Sequence, residues 1–233
     1  KLVWSEEFNG PEIDKNTWRH EIGYVRNNEL QYYTDAPENS FIEDGCLVIK
    51  SIKTDDPECP YTSASLNTRT KKEFLYGKLE MRAKLQFGAG VWPAFWTLGT
   101  NISEVDWPEC GEIDIMEHLN SEDIAYQTVH SQHSVKKYDP YILNGGSGPI
   151  DRDKFNVYSV EIEEDIIKFY INGKPTFSYK KVPELESQFP YASHPFYVIL
   201  SAQLGGSWVG KVKPEDLPVR MDIDYVRFYQ PKK

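Results

Sequence analysis

Residues 111–117 read Gly-Glu-Ile-Asp-Ile-Met-Glu, or GEIDIME. The acidic residues Glu112, Asp114 and Glu117 are interleaved with Ile113, Ile115 and Met116. The apolar residues call for at least half burial, and Asp and Glu are rarely buried without a partner. Catalysis or a bound cation are the usual reasons to concentrate carboxylates in such a setting. On an α-helix, Glu112 and Glu117 would stand about 140° apart and could not converge. On a regular strand, Glu112 and Asp114 share a face while Glu117 points the other way. One extra residue resolves this, because a β-bulge at Ile115–Met116 returns Glu117 to the face of the other two. The stretch therefore predicts a bulged strand with its carboxylates in one row.

Two carboxyls flanking a scissile bond are the minimum equipment of a glycosidase. Glu112 and Glu117 brought to one face, about 5–5.5 Å apart, suit a retaining mechanism with a covalent intermediate. Asp114 between them would hold one pKa up by like-charge repulsion and exchange a hydrogen bond. The alternatives are a solvated acidic strand and a cation site.

Working outward, the chain reads as strands. Lys78 to Leu85 alternates cleanly, with Leu79, Met81, Ala83 and Leu85 on one face. Leu47-Val48-Ile49 follows a turn at Asp44-Gly45, and Tyr158, Val160 and Ile162 alternate again. Ile166 to Ile171, Asn172-Gly173 and Thr176 to Tyr179 spell a hairpin, since Asn-Gly is the strongest short turn signal. Phe196 to Ala202 reads as a buried strand and Met221 to Tyr229 as a final alternating one. Only Val182 to Gln188 hints at a short helix. With no repeat, low-complexity tract or linker, residues 1–233 read as one all-β domain of two packed antiparallel sheets.

A second constellation is Gly88-Ala-Gly-Val-Trp-Pro-Ala-Phe-Trp96. Trp92 and Trp96 fall on one face of an extended segment, where two indoles can floor a sugar subsite. Nearby glycines favour a cleft edge where backbone comes close to ligand. The other reading is two core tryptophans. Aromatic residues make up 14% of the chain, which suits either a sugar cleft or a β-rich core.

The net charge of −10 disfavours nucleic acid or an anionic membrane as partner and is compatible with a neutral polymer. No apolar run is long enough to span a membrane. Cys46, Cys59 and Cys110 have no metal-binding spacing and allow at most one disulfide. Lys1 in place of Met points to a trimmed or mature form, and Asn101-Ile-Ser103 is a lone glycosylation sequon.

Several ordered blocks resemble the laminarinase branch of glycoside hydrolase family 16. They are WSEEFNG (4–10), NNELQYYT (27–34), YTSASLNT (61–68), GVWPAFWTLG (90–99), WPECGEIDIMEH (107–118), GGSW (205–208) and DYVRFY (224–229). The resemblance implies a curved β-jelly-roll sandwich and an endo-acting retaining β-glucanase. Glu112 would be the nucleophile, Glu117 the general acid/base and Asp114 their electrostatic helper. Trp92 and Trp96 would line the subsite of the reacting sugar with His130 nearby, and Asn27 and Trp208 would serve the glycone subsites. Met116 would be the bulge residue that separates this branch from the shorter lichenase motif.

Many relatives carry Arg where this chain has Ser65, and Arg69, on the same side of an extended strand, is the expected substitute. The segment from His133 to Ile150 is expected to shape the cleft rim. The resemblance also implies no cofactor for catalysis, a structural Ca²⁺ at Glu7, the Gly45 carbonyl and Asp224, a monomer, and a secreted, cell-surface or periplasmic setting.

The expected substrate is β-1,3-glucan, with or without mixed β-1,3/1,4-glucan. One rival is a non-catalytic carbohydrate-binding domain on the same sandwich, which would need no intact acidic triplet. The other is a metalloenzyme using Glu112, Glu117, His118 and His130. His118 would point off the acidic face and is poorly placed for that.

Overall fold

The structure is a computed structural model that describes residues 1–137 and 139–232. Its strands, in chain order, are β1 (Leu2–Glu6), β2 (Arg19–His20), β3 (Tyr32–Tyr33), β4 (Ser40–Glu43), β5 (Cys46–Lys53), β6 (Tyr61–Ser63), β7 (Ser65–Asn67), β8 (Gly77–Leu85), β9 (Val91–Gly99), β10 (Glu112–Glu117), β11 (Ile124–His130), β12 (Gly145–Pro149), β13 (Phe155–Ile162), β14 (Ile166–Ile171), β15 (Lys174–Lys180), β16 (Phe196–Leu204) and β17 (Val219–Tyr229). Two short helices, α1 (Ile102–Val105) and α2 (Gln132–Lys136), and a 3₁₀ turn at Pro214–Asp216 complete the elements.

The strands form a ten-stranded sheet, ordered β15-β14-β13-β8-β17-β5-β6-β3 with β1 and β4 at the side, and a seven-stranded sheet, ordered β12-β11-β10-β9-β16-β7-β2. All pairings are antiparallel except β3 with β6. The all-β sandwich read from the sequence is the observed fold.

Period-2 alternation builds the core. Leu79, Met81 and Ala83 on β8 and Tyr158, Val160 and Ile162 on β13 face Phe95, Ile113, Ile115, Met116, Val198 and Leu200 from the other sheet, all buried in one cluster. Both predicted turns have the positive φ at two successive residues that suits two-residue hairpins: Asn172 and Gly173 at 51° and 75°, Asp44 and Gly45 at 51° and 73°.

Two readings need correction. Val182 to Gln188 forms turns rather than a helix. Pro183 opens it, and Gln188 is drawn inward to bond the Val182 amide and the Lys180 carbonyl. The final strand is not a plain alternation: a bulge between Ile223 and Tyr225 shifts parity, so Ile223, Val226 and Phe228 all reach the core. The His133–Ile150 segment supplies part of α2 and the edge strand β12, which pairs with β11. Cys46, Cys59 and Cys110 are free thiols. Among the described residues, no helix is long and apolar enough to cross a membrane.

Candidate active site

The seven-stranded sheet has a second apolar cluster on its outer face, made by Ala94, Trp96, Leu98, Cys110, Tyr197 and Ile199. Strand β10 crosses this face beside β9. Its register runs Glu112↔Leu98, Asp114↔Trp96, Met116↔Phe95 and Glu117↔Ala94, with a shift between Asp114 and Met116. Against β11 the shift falls between Asp114 and Glu117. The extra residue therefore lies at Ile115–Met116, where parity alone had placed it. Ile113, Ile115 and Met116 face the core, so Glu112, Asp114 and Glu117 share the opposite face.

Each carboxyl has its own environment. Glu117 is buried, and Trp92 Nε1 donates to its Oε2 at 2.8 Å. Burial and the neighbouring Glu112 charge push its pKa up to about 7, while the Trp92 and Asp114 hydrogen bonds pull the other way. Asp114 is almost fully buried between two carboxyls. Desolvation, then repulsion from Glu112 and Glu117, raises it well above the usual carboxylate range, and it shares hydrogen bonds with both. His130 Nε2 lies 3.0 Å from Asp114 Oδ2. Glu112 is the most open of the row, and Trp107 Nε1 donates to its Oε2 at 2.6 Å.

The carboxyls sit where two lobes of one cleft meet. A cavity of about 300 Å³ extends over β9 and β16, lined by Arg26, Glu29, Trp96 and Gln203 among others. A cavity of about 340 Å³ extends over β11, lined by Thr128, His130 and Trp208. Asn27, Trp92, Trp107, Glu112, Asp114 and Glu117 border both. Trp208 meets Trp92 edge to face at 5.7 Å and Tyr126 at 5.2 Å. Trp107 and Trp208 remain 43% and 48% exposed, leaving indole surface for a ring to stack on.

Of the residues expected from sequence, Asn27, Trp92, Trp96, His130 and Trp208 line this cleft. Arg69 does not: its guanidinium lies over Tyr197, 5.7 Å from the ring centre. The guanidinium in the cleft belongs to Arg26, from the loop before β3. It lies 4.9 Å from the Trp96 ring centre and pairs with Glu21, whose other oxygen accepts from Ser65 Oγ at 2.6 Å. Ser65 thus reaches an arginine through Glu21.

Sequence reasoning also missed Glu29, Trp107 and Gln203. Trp107 stood inside the quoted WPECGEIDIMEH block, where a tryptophan in a polar turn is a usable signal. Arg26 and Gln203 have no comparable local signature. No residue of the His133–Ile150 segment lines the lobes, among the described residues.

The two metal readings fare differently. Glu112, Asp114 and His130 each bring one ligand atom within 4.8 Å of the others. His118, part of the metalloenzyme alternative, is buried off the acidic face, with Nε2 2.7 Å from the Glu122 carbonyl and its ring stacked on Phe87. Glu7 and Asp224 are already held by guanidiniums: Arg227 grips both Glu7 oxygens, and Arg82 Nη1 lies 2.7 Å from Asp224 Oδ2. In this arrangement Glu7 and Asp224, two of the expected calcium ligands, are each paired with an arginine.

A β-sandwich carrying a row of carboxyls in unlike surroundings in an aromatic-lined cleft has the equipment of a retaining glycosidase. The family profile described as Glycosyl hydrolases family 16 matches residues 15–227, and the chain belongs to that family. The laminarinase catalytic domain from Thermotoga maritima is 40% identical, with a TM-score of 0.89, covering 100% of this chain and 99% of that one. A beta-glucanase from Rhodothermus marinus is 35% identical over 99% of this chain and 85% of its own length. A glucan endo-1,3-beta-glucosidase A1 from Niallia circulans is 34% identical over 98% of this chain, which spans 38% of that longer protein.

Proposed function

We propose that the chain is an endo-acting retaining β-glucanase that cuts β-1,3-glucan of the laminarin type, with mixed β-1,3/1,4-glucan as a further substrate. The observation that carries this is the row of Glu112, Asp114 and Glu117 on one face, with the Glu117 pKa raised to about 7. At mildly acidic pH, Glu117 holds a proton and gives it to the departing glycosidic oxygen while Glu112 attacks the anomeric carbon. The glycosyl–Glu112 ester is then hydrolysed by a water whose proton passes to Glu117, restoring both groups. Asp114 lies between them, its pKa raised by burial and by both neighbours, and shares hydrogen bonds with each. A cleft open to both sides of the carboxyls suits cutting within a chain, and the laminarinase and glucanase relatives favour this polymer class.

The test is Glu112→Ser with laminarin. Closing the covalent route is expected to lower turnover by several orders of magnitude. Binding of laminari-oligosaccharides is expected to survive, because Trp92, Trp96 and Trp208 remain. Near-parental turnover would remove Glu112 as nucleophile. A parent that binds the oligosaccharides without cutting them would favour the carbohydrate-binding alternative.

A further inference from the structure

Two indoles bracket the carboxyl row. Trp92 bonds Glu117 at one end, and at the other Trp107 Nε1 donates to Glu112 Oε2 at 2.6 Å. Glu112 is the most open member of the row and shares a hydrogen bond with Asp114 on its inner side. Its carboxyl is thereby held between Asp114 and the indole N–H. The turn that carries the indole is itself tied down. The Cys110 amide donates to the Asp106 carbonyl and the Gly111 amide to the Pro108 carbonyl, each at 3.0 Å. The Trp107 amide donates to Asp106 Oδ1 at 2.9 Å. Gln132 Nε2 reaches across from α2 to Glu109 Oε1, also at 2.9 Å. Trp107 borders both lobes of the cleft, so its N–H meets Glu112 where the two lobes join.

A hydrogen bond speeds a step only where it is stronger in the transition state than in the ground state. In the first step Glu112 loses charge, as its oxygen bonds to the anomeric carbon and the glycosidic oxygen leaves with the Glu117 proton. The indole bond weakens there. In the second step a water oxygen bonds to the anomeric carbon and the water's proton passes to Glu117. The electron pair of the breaking ester bond returns to Glu112. The same N–H then faces a growing negative charge, and bonds to charged acceptors are about twice as strong as neutral ones. We propose that Trp107 is a positioning residue for Glu112 whose N–H favours breakdown of the glycosyl–Glu112 ester. The inference rests on the glucanase reading and assigns the indole to the second half of that reaction.

The experiment compares the parent with Trp107→Phe and Trp107→Leu on laminari-oligosaccharides, with melting temperatures as a check on folding. Neither variant has the N–H, and Phe keeps an aromatic face. KM and kcat are measured separately. Acid-quenched steady-state samples are weighed for the glycosyl adduct, which peptide mapping places on Glu112. In Trp107→Phe, adduct breakdown is expected to slow about tenfold. KM and kcat then fall together by up to that factor, kcat/KM stays within about threefold, and the adducted fraction rises above the parent's. A folded Trp107→Phe protein whose KM rises, or whose adducted fraction does not, would overturn the assignment. So would a loss of kcat/KM equal to the loss of kcat, which would put the indole in the first step. If Trp107→Phe does not fold, the adducted fraction of Trp107→Leu at saturating substrate decides. A parent without turnover on these substrates would count against the glucanase reading before any variant is made. An active parent with unchanged variants would count against the role of Trp107 alone.

Discussion

At the scale of single residues, the site works by giving similar carboxyls unlike surroundings. Burial and the Glu112 charge raise Glu117 to about 7, and the Trp92 indole N–H opposes them by bonding its ionised form. Removing that donor therefore raises the Glu117 pKa further. Trp92→Phe is expected to move the alkaline limb of the kcat/KM–pH profile to higher pH, from a parental limb near pH 7. Stacking surface is largely kept in the variant, so a limb that stays in place or moves to lower pH would mean that Glu117 is not the group titrating. The acidic residues were legible because their spacing broke strand parity. Arg26 was not, because its role depends on Glu21, Ser65 and Trp96, which lie far apart in the chain and meet only in space.

At the scale of elements, strand β10 depends on its bulge. Met116 is fully buried against the core and pairs with Phe95, and its extra place in the count brings Glu117 back beside Asp114. Deleting Met116 would turn Glu117 toward the core or slip the rest of the strand by one residue, moving its side chains to the wrong face. The deletion is expected to abolish activity, with a lowered melting temperature. Met116→Leu, nearly volume-conserving, is expected to keep much of the activity and to cost less than about 1.5 kcal/mol in stability. A folded and fully active deletion variant would show that activity does not depend on the bulge that places Glu117. Strand β17 carries a second bulge that its sequence pattern did not reveal, because Ile223, Tyr225, Val226 and Phe228 leave the parity ambiguous.

At the scale of the whole molecule, the carboxyl row is a stability liability with a definite sign. The Glu117 pKa is raised from 4.5 in an open chain to about 7 in the fold. Between those pH values, the unfolded chain has lost the proton that the folded one keeps. The unfolded state binds fewer protons, so stability falls as pH rises through this window. Glu117→Gln cannot ionise and escapes this loss. Its melting temperature relative to the parent is therefore expected to climb from pH 4.5 to pH 7. Thermal melts of both proteins across that range measure it, and a constant difference would mean that Glu117 titrates normally.

The second whole-molecule expectation concerns the calcium position. With Glu7 on Arg227 and Asp224 on Arg82, a chelator is expected to change the melting temperature by less than about 2 °C, no more than the shift that loss of about 1 kcal/mol brings to a chain of this size. A large drop on chelation, reversed by added calcium, would mean that an ion displaces the arginines.

The sequence by itself determined the sandwich, most of its long strands, the bulge at Ile115–Met116 and the carboxyl row. Each follows from local rules: side chains alternate every two residues, Asn-Gly and Asp-Gly close hairpins, and one extra residue reverses a face. Only the tertiary structure decided which arginine enters the cleft, that Trp107 bonds Glu112, that Glu29 stands buried beside Arg26, and that Glu7 and Asp224 are paired away. Those contacts join residues from different strands and loops, and burial sets their strength. Neither sequence distance nor local pattern carries that information, because desolvation and hydrogen-bond geometry exist only once the two sheets have closed on each other.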